Sequence, residues 1–235
     1  MKKAVKRIIL LTGLGGVAAF VFFFKDRLFS RALERSTTDE VLFHLDTMEK
    51  VVALTIDDGP HPELTSEILD VLAEYQVPAT FFVIGDRIEG NESLLERMVV
   101  EGHELGNHLM NDQRSIQLEP AEFSQQLAEA HGLLRSFGPV HWFRPGSGWY
   151  NTRMLEQVRP YGYRVVVGSV YPFDAHIQSV EFVSTYILGN VRPGSIIILH
   201  DGEDRRKATP EILRRVLPVL QEQGYRFETL TGMAG

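Results

Sequence analysis

Two adjacent carboxylates, Asp57 and Asp58, close the run Val-Val-Ala-Leu-Thr-Ile-Asp-Asp-Gly-Pro at residues 51–60. Successive strand residues face opposite ways, so the pair diverges and can take two jobs, one acid holding a metal while the other acts as a base. The plain alternative is a polar turn after a strand. His108 and Asp112 stand four residues apart, which puts both on one face of a helical turn. With Asp58 they supply two carboxylates and one imidazole, a donor set for a divalent ion with open positions; a surface ion pair is the alternative. Arg144 follows an apolar strand-like run and suits either an anionic partner or a structural ion pair. His200 follows Ile196–Leu199, so its side chain emerges from the core. The remaining histidines (His44, His61, His103, His131, His141 and His176) have no such company and read as structural.

These groups need a frame. Strand-like runs fall near residues 51–56, 79–84, 103–107, 140–144, 163–168, 195–200 and 225–230. Helix-like stretches lie between most of them, near 65–76, 92–101, 120–136, 152–160, 179–190 and 210–223. The first helix has Thr65 as its expected N-cap, then Ile68, Val71, Leu72 and Tyr75 on one face, and Pro78 beyond its end. Strand alternating with helix predicts a parallel sheet with helices outside, either a barrel or a doubly wound sheet. The polar residues follow the strands: Asp57-Asp58, then Asn107 to Asp112, Phe143 to Gly148, Ser169 to Asp174, and His200-Asp201. They gather at the carboxyl end of the sheet, where such folds place active sites.

Composition narrows the choices. The chain has 235 residues, no cysteine and a formal charge of -7. Thiolate catalysis, disulfides and Cys-ligated zinc are therefore excluded. The first 24 residues hold four basic groups and no acid, so the remainder carries 20 Lys and Arg against 31 Asp and Glu, a balance of -11. That argues against a nucleic-acid surface and suits a neutral or cationic ligand. Ile8 to Phe24 runs 17 residues without a charge, about 25 Å as a helix. This is near the lower limit of a bilayer span, and the run continues past Ala18-Ala19, the nearest match to a cleavage site. It fits an uncleaved anchor (residues 1–25) better than a signal peptide. Residues 26–48 read as a stalk and residues 49–235 as one catalytic domain. Lys25, Arg27, Arg31 and Arg35 balance the basic residues before the run, so charge does not set the orientation.

The motifs together resemble the polysaccharide deacetylases of carbohydrate esterase family 4, the NodB-homology domain. Thr55 to Pro60 looks like the family's T-F-D-D-G-P, and Ala79 to Gly85 like the strand that follows. His108 to Asp112 stands where H-S/T-x-x-H belongs, and Arg144 to Gly148 resembles R-P-P-Y-G. The Asp174 segment resembles D-x-x-D-W and Ile198-Leu199-His200 resembles L-x-H. The likeness covers about residues 50–230. It implies a distorted (β/α)7 barrel, preceded here by a transmembrane helix, and metal-dependent removal of N-acetyl groups from an aminosugar polymer.

Carried over by position, the resemblance makes Asp57 the general base and His200 the general acid. Arg144 would hold Asp57, and Asp174 would orient His200. Asp58, His108 and Asp112 would bind one divalent ion, zinc first, with manganese, cobalt or magnesium admitted by the carboxylate at 112. The amide of Ser147 would face the oxyanion, Ile198 would line the acetyl pocket, and Trp149 could supply a sugar-stacking face. The chain departs from the family pattern at Asp112, at Gly146-Ser147, at Tyr171 (in place of the first aspartate of its motif), at Ala175 and at Ile198. The expected partners are an N-acetylated glycan and a membrane, with the catalytic domain outside the cytoplasm. A small-amide hydrolase of the same fold and a silent glycan-binding module are the competing readings.

Overall fold

The computed structural model describes residues 40–202 and 206–234. Chain contacts separate residues 1–37 from a unit spanning Thr38–Gly235, and the described residues belong to the second. The anchor expected over residues 1–25 and most of the expected stalk lie outside the described residues. Among those described, no helix is long and apolar enough to cross a membrane.

The sheet is built outward from β2 (Val51–Asp57), all seven residues of which are buried. Continuous rather than alternating apolarity is what a strand covered on both faces requires. Parallel to it lie β3 (Thr80–Val83), β7 (Ile196–His200) and, along its first three residues, β8 (Arg226–Glu228). Beyond β3 follow β4 (Glu104–Asn107), β5 (Trp142–Phe143) and β6 (Arg164–Val166), again parallel. All seven expected strands are present.

An eighth strand is not expected. Val41 and Leu42, assigned to the stalk by sequence, form β1 and pair in parallel with Val165 and Val166. Both are buried, as is Phe43. Two residues are too few to show a period of two, so the partner strand decides this conformation rather than any local pattern. β1 also helps the sheet to curl back on itself, because the Leu45 amide donates to the Gly194 carbonyl just before β7. Nearer the carboxyl end the same gap is bridged by Val170, which pairs with Ile197. Its amide donates to Ile196 and its carbonyl accepts from Ile198.

Helices α1 (Leu64–Tyr75), α2 (Glu92–Val100), α3 (Pro120–Leu134), α4 (Thr152–Val158), α5 (Val180–Asn190) and α6 (Thr209–Glu222) follow the strands as the alternation predicts, and a short α7 (Leu230–Ala234), not expected from the sequence, begins where the last strand-like run was expected to end. α1 buries Ile68, Leu69, Val71 and Leu72, each contributing about 1.5–3 kcal/mol by leaving water. It begins one residue before Thr65, and Glu63 at the cap position makes no side-chain bond. Thr65 is therefore not the cap. Its hydroxyl accepts from the His61 amide at 2.7 Å and donates to Asp201, tying the first turn of α1 to the end of β7.

Candidate active site

Register brings the first two groups together. Asp57 on β2 pairs with His200 on β7, so two adjacent parallel strands, about 4.8 Å apart, project these side chains on the same side of the sheet. Each is then fixed by a second residue. Arg144, one residue beyond β5, donates from Nη1 to Asp57 Oδ1 at 2.5 Å and to the Thr55 hydroxyl at 2.8 Å. Its Nε reaches the Val166 carbonyl at 3.3 Å, and its guanidinium lies 4.1 Å above the Phe82 ring centre. The pair is buried on both sides, so it orients Asp57 more than it stabilises the fold.

His200 is held by Asp174 twice. The backbone N–H of His200 donates to Oδ2 at 2.8 Å, and the ring Nδ1 lies 3.0 Å from Oδ1. A carboxylate only accepts, so Nδ1 carries a proton and Nε2 is left for a reacting group. Burial pushes the imidazole pKa down, but the charge and hydrogen bond of Asp174, helped by Asp57 and Asp58, outweigh it and raise the pKa to about 9. The Tyr171 ring meets His200 edge-on at 5.8 Å, an aromatic wall where the family pattern has an acid. Burial first, then the Asp174 charge, pushes its phenol up to about 12.

Asp58 lies one residue beyond β2 with a left-handed backbone, φ +71°, so strand alternation does not set its direction. Its Oδ1 lies 3.1 Å from His108 Nε2 and its Oδ2 accepts from Arg206 Nη1. Burial favours the neutral acid, yet the His108 hydrogen bond and the charges of His108, His200 and Arg206 hold the carboxyl well below the usual carboxylate range. On its other side, His108 Nδ1 is 2.7 Å from the Arg144 carbonyl, an acceptor, so that nitrogen carries the proton. Burial lowers the pKa of this imidazole, and the bond to Asp58 followed by the Asp57 charge raises it above its ordinary value.

Asp112 does not join them. The i, i+4 spacing matters only on a helical turn, and residues 108–112 are not helical. Leu109 adopts φ +68°, with its amide donating to Asn107 Oδ1 at 2.8 Å. The turned chain leaves the Asp112 side chain 39% exposed, against 5% for Asp58, with Oδ2 3.8 Å from Arg206 Nη2. Among the described residues no three His, Cys, Asp or Glu side chains gather into a metal-holding cluster. The donor set that the family pattern implies for a divalent ion thus does not fit as arranged: Asp58 and His108 converge, and a guanidinium stands between Asp58 and Asp112.

Sequence reasoning missed Arg206. It lies in Arg205-Arg206-Lys207, a run that reads as solvated charge, yet it is buried. Of the expected substrate contacts, Ser147 is exposed at φ +62°, Trp149 is 62% exposed, and Ile198 is buried in β7. Asp58 (φ +71°), Leu109, Ser147 and Phe173 (φ +63°) all have left-handed backbones on loops at the carboxyl end. Each such residue costs of order 1–3 kcal/mol, and such strain concentrates at functional sites. Gly202, at φ +85°, lets the loop after β7 approach the Asp58 carbonyl, which a Cβ would strike.

A parallel α/β sheet with paired acid, imidazole and guanidinium groups at its carboxyl end defines a hydrolase-like centre. The family profile described as polysaccharide deacetylase matches residues 44–166, and the chain belongs to that family. It is 34% identical over 202 residues to a peptidoglycan-N-acetylglucosamine deacetylase of Bacillus cereus, covering 84% of this chain and 94% of the relative. It is 36% identical over 194 residues to a chitooligosaccharide deacetylase of Bradyrhizobium sp., covering 76% and 88%. Its fold is similar to that of a family 4 acetyl xylan esterase from Clostridium thermocellum in complex with a cobalt ion. There the TM-score is 0.73 and the identity 33%, over 78% of this chain and 89% of the other. Family membership makes deacetylation its class of reaction.

Proposed function

We propose that this chain hydrolyses N-acetyl groups on an aminosugar polymer of the chitin or peptidoglycan type. The supporting observation is the register pair Asp57 and His200, each locked by its own buried partner. The curated relatives act on peptidoglycan N-acetylglucosamine and on chitooligosaccharides.

Asp57, oriented by Arg144, takes a proton from the attacking water. The oxyanion that develops on the acetyl carbonyl is met by the Ser147 amide, and one such donor is worth about 2.7–4 kcal/mol to the transition state. His200 donates from Nε2 to the departing nitrogen, a contribution of about 10²–10⁴-fold, while Asp174 stabilises the imidazolium before transfer. The products are acetate and a free amine. Ile198 bounds the acetyl methyl group and the exposed Trp149 offers a face for a sugar ring. Ile8 to Phe24 anchors the protein in a membrane, with the catalytic domain outside the cytoplasm, where such polymers lie.

The test is acetate release from N-acetylated chito-oligomers and peptidoglycan fragments, with a panel of small acetamides alongside. Release from oligomers but not from small amides is the expected result. Release confined to small amides would replace this reading with that of a small-amide hydrolase.

A further inference from the structure

The group between the two expected metal ligands is itself a cation. Arg206 Nη1 donates to Asp58 Oδ2 and, at 2.6 Å, to the Asp201 carbonyl. Its Nη2 points towards Asp112 at 3.8 Å, and its side chain is almost fully buried. Asp201 and Thr209, on either side of Arg206 in the chain, are both bonded to the strands. The Asp201 amide donates to the Asp57 carbonyl at 2.8 Å, and the Thr209 hydroxyl donates to the His200 carbonyl at 2.8 Å. Described residues on either side of Arg206 are thus tied to the ends of β2 and β7.

We propose that Arg206 is the resident cation of this site, bridging Asp58 and Asp112, and that a divalent ion binds only in competition with it. A guanidinium stays charged at every physiological pH, so protonation does not release it. Carboxylate–guanidinium bonds run to about 2.7–2.9 Å, whereas a zinc ion needs its oxygen donors at about 2.0–2.2 Å. Both draw on the one negative charge of Asp58, and a dication set beside the guanidinium is repelled by it. A metal must either displace Arg206 and leave a desolvated charge behind or bind against that repulsion at Asp58 Oδ1, beside His108, and both oppose metal binding. Without Arg206, Asp58 keeps only His108 among these two partners and calls for another cation. In the proposed reaction, Arg206 also places a fixed positive charge beside Asp58. The metal competition stands whether or not the substrate proposal holds, because it is measured without substrate.

Zinc chloride titrated calorimetrically into the full-length protein in detergent tests this directly, comparing wild type with Arg206→Met, Arg206→Lys and Asp112→Asn. Arg206→Met should bind zinc about tenfold or more tightly than wild type, the ordinary size of coupling between competing ligands. Arg206→Lys, which keeps the charge but loses the fork, should fall between them. Asp112→Asn should bind zinc no more weakly than wild type, because Asp112 engages Arg206 and not the ion. Equal zinc affinity in wild type and Arg206→Met would overturn the proposal, as would a loss of about tenfold in Asp112→Asn. Should the methionine variant fail to fold, the exposed Asp112 position still decides the matter.

Discussion

His200 keeps its proton because Asp174 opposes the effect of burial, with a pKa raised from 6.5 to about 9. A general acid must be protonated, so hydrolysis should fall as pH rises through about 9. The same shift has a consequence for stability. With the folded pKa above the unfolded one, the contribution of His200 is fully present below about pH 6.5 and is lost as pH rises through about 9. Asp174→Asn should move the alkaline limb of the pH–rate profile to lower pH; an unmoved limb would detach His200 from that limb. Arg144→Met tests the other pair. It leaves Asp57 buried without its guanidinium and should destabilise the protein by about 3–5 kcal/mol in urea unfolding. At this scale the sequence is legible where chemistry sits directly after a strand. Asp57, Asp58, Arg144 and His200 stand next to apolar runs, so their placement follows from the sheet. Arg206 and Asp112 do not. Their positions depend on how loops turn, at Leu109 and at Gly202, and positive φ at Leu109 has no signature in composition.

The elements are legible in the sequence wherever burial on both faces leaves a continuous apolar run, as in β2 and β7, or a helical period, as in α1. β1 escaped because its identity comes from β6 and not from its own two residues. That assigns Phe43, which is 2% exposed, to the core of the catalytic unit. Phe43→Ala should cost about 3–5 kcal/mol, measured as a lowered urea midpoint at constant slope. A chain beginning at Thr38 should unfold cooperatively, whereas one beginning at Met48, lacking β1, should be markedly less stable. Equal midpoints for the two would show that the sheet does not depend on β1. The loops after the strands make the complementary case. Their left-handed residues hold the site's shape against local preference, and the parallel register of β2 with β7 secures the two ends that matter most.

For the molecule as a whole, one end of a parallel sheet carries the reacting groups and the uncharged run Ile8 to Phe24 lies far earlier in the chain. The full-length protein should sediment with membranes and the chain from Thr38 should stay in the supernatant; full-length protein recovered in the supernatant would remove the anchor from the account. The excess of acid over base beyond residue 24 suits a neutral glycan and, later, its cationic amine product. The central claim is that Asp57 and His200 run amide hydrolysis on an N-acetylated glycan. Acetate release from a defined N-acetylglucosamine oligomer, followed for wild type, Asp57→Asn and His200→Ala at one pH near neutrality, tests it most directly. Wild type should release acetate and free amine in equal amounts, and each variant should turn over about 10²–10⁴-fold more slowly while remaining folded in the assay, with a lowered urea midpoint because each leaves a buried partner unpaired. Undiminished acetate release by either well-folded variant would contradict the account.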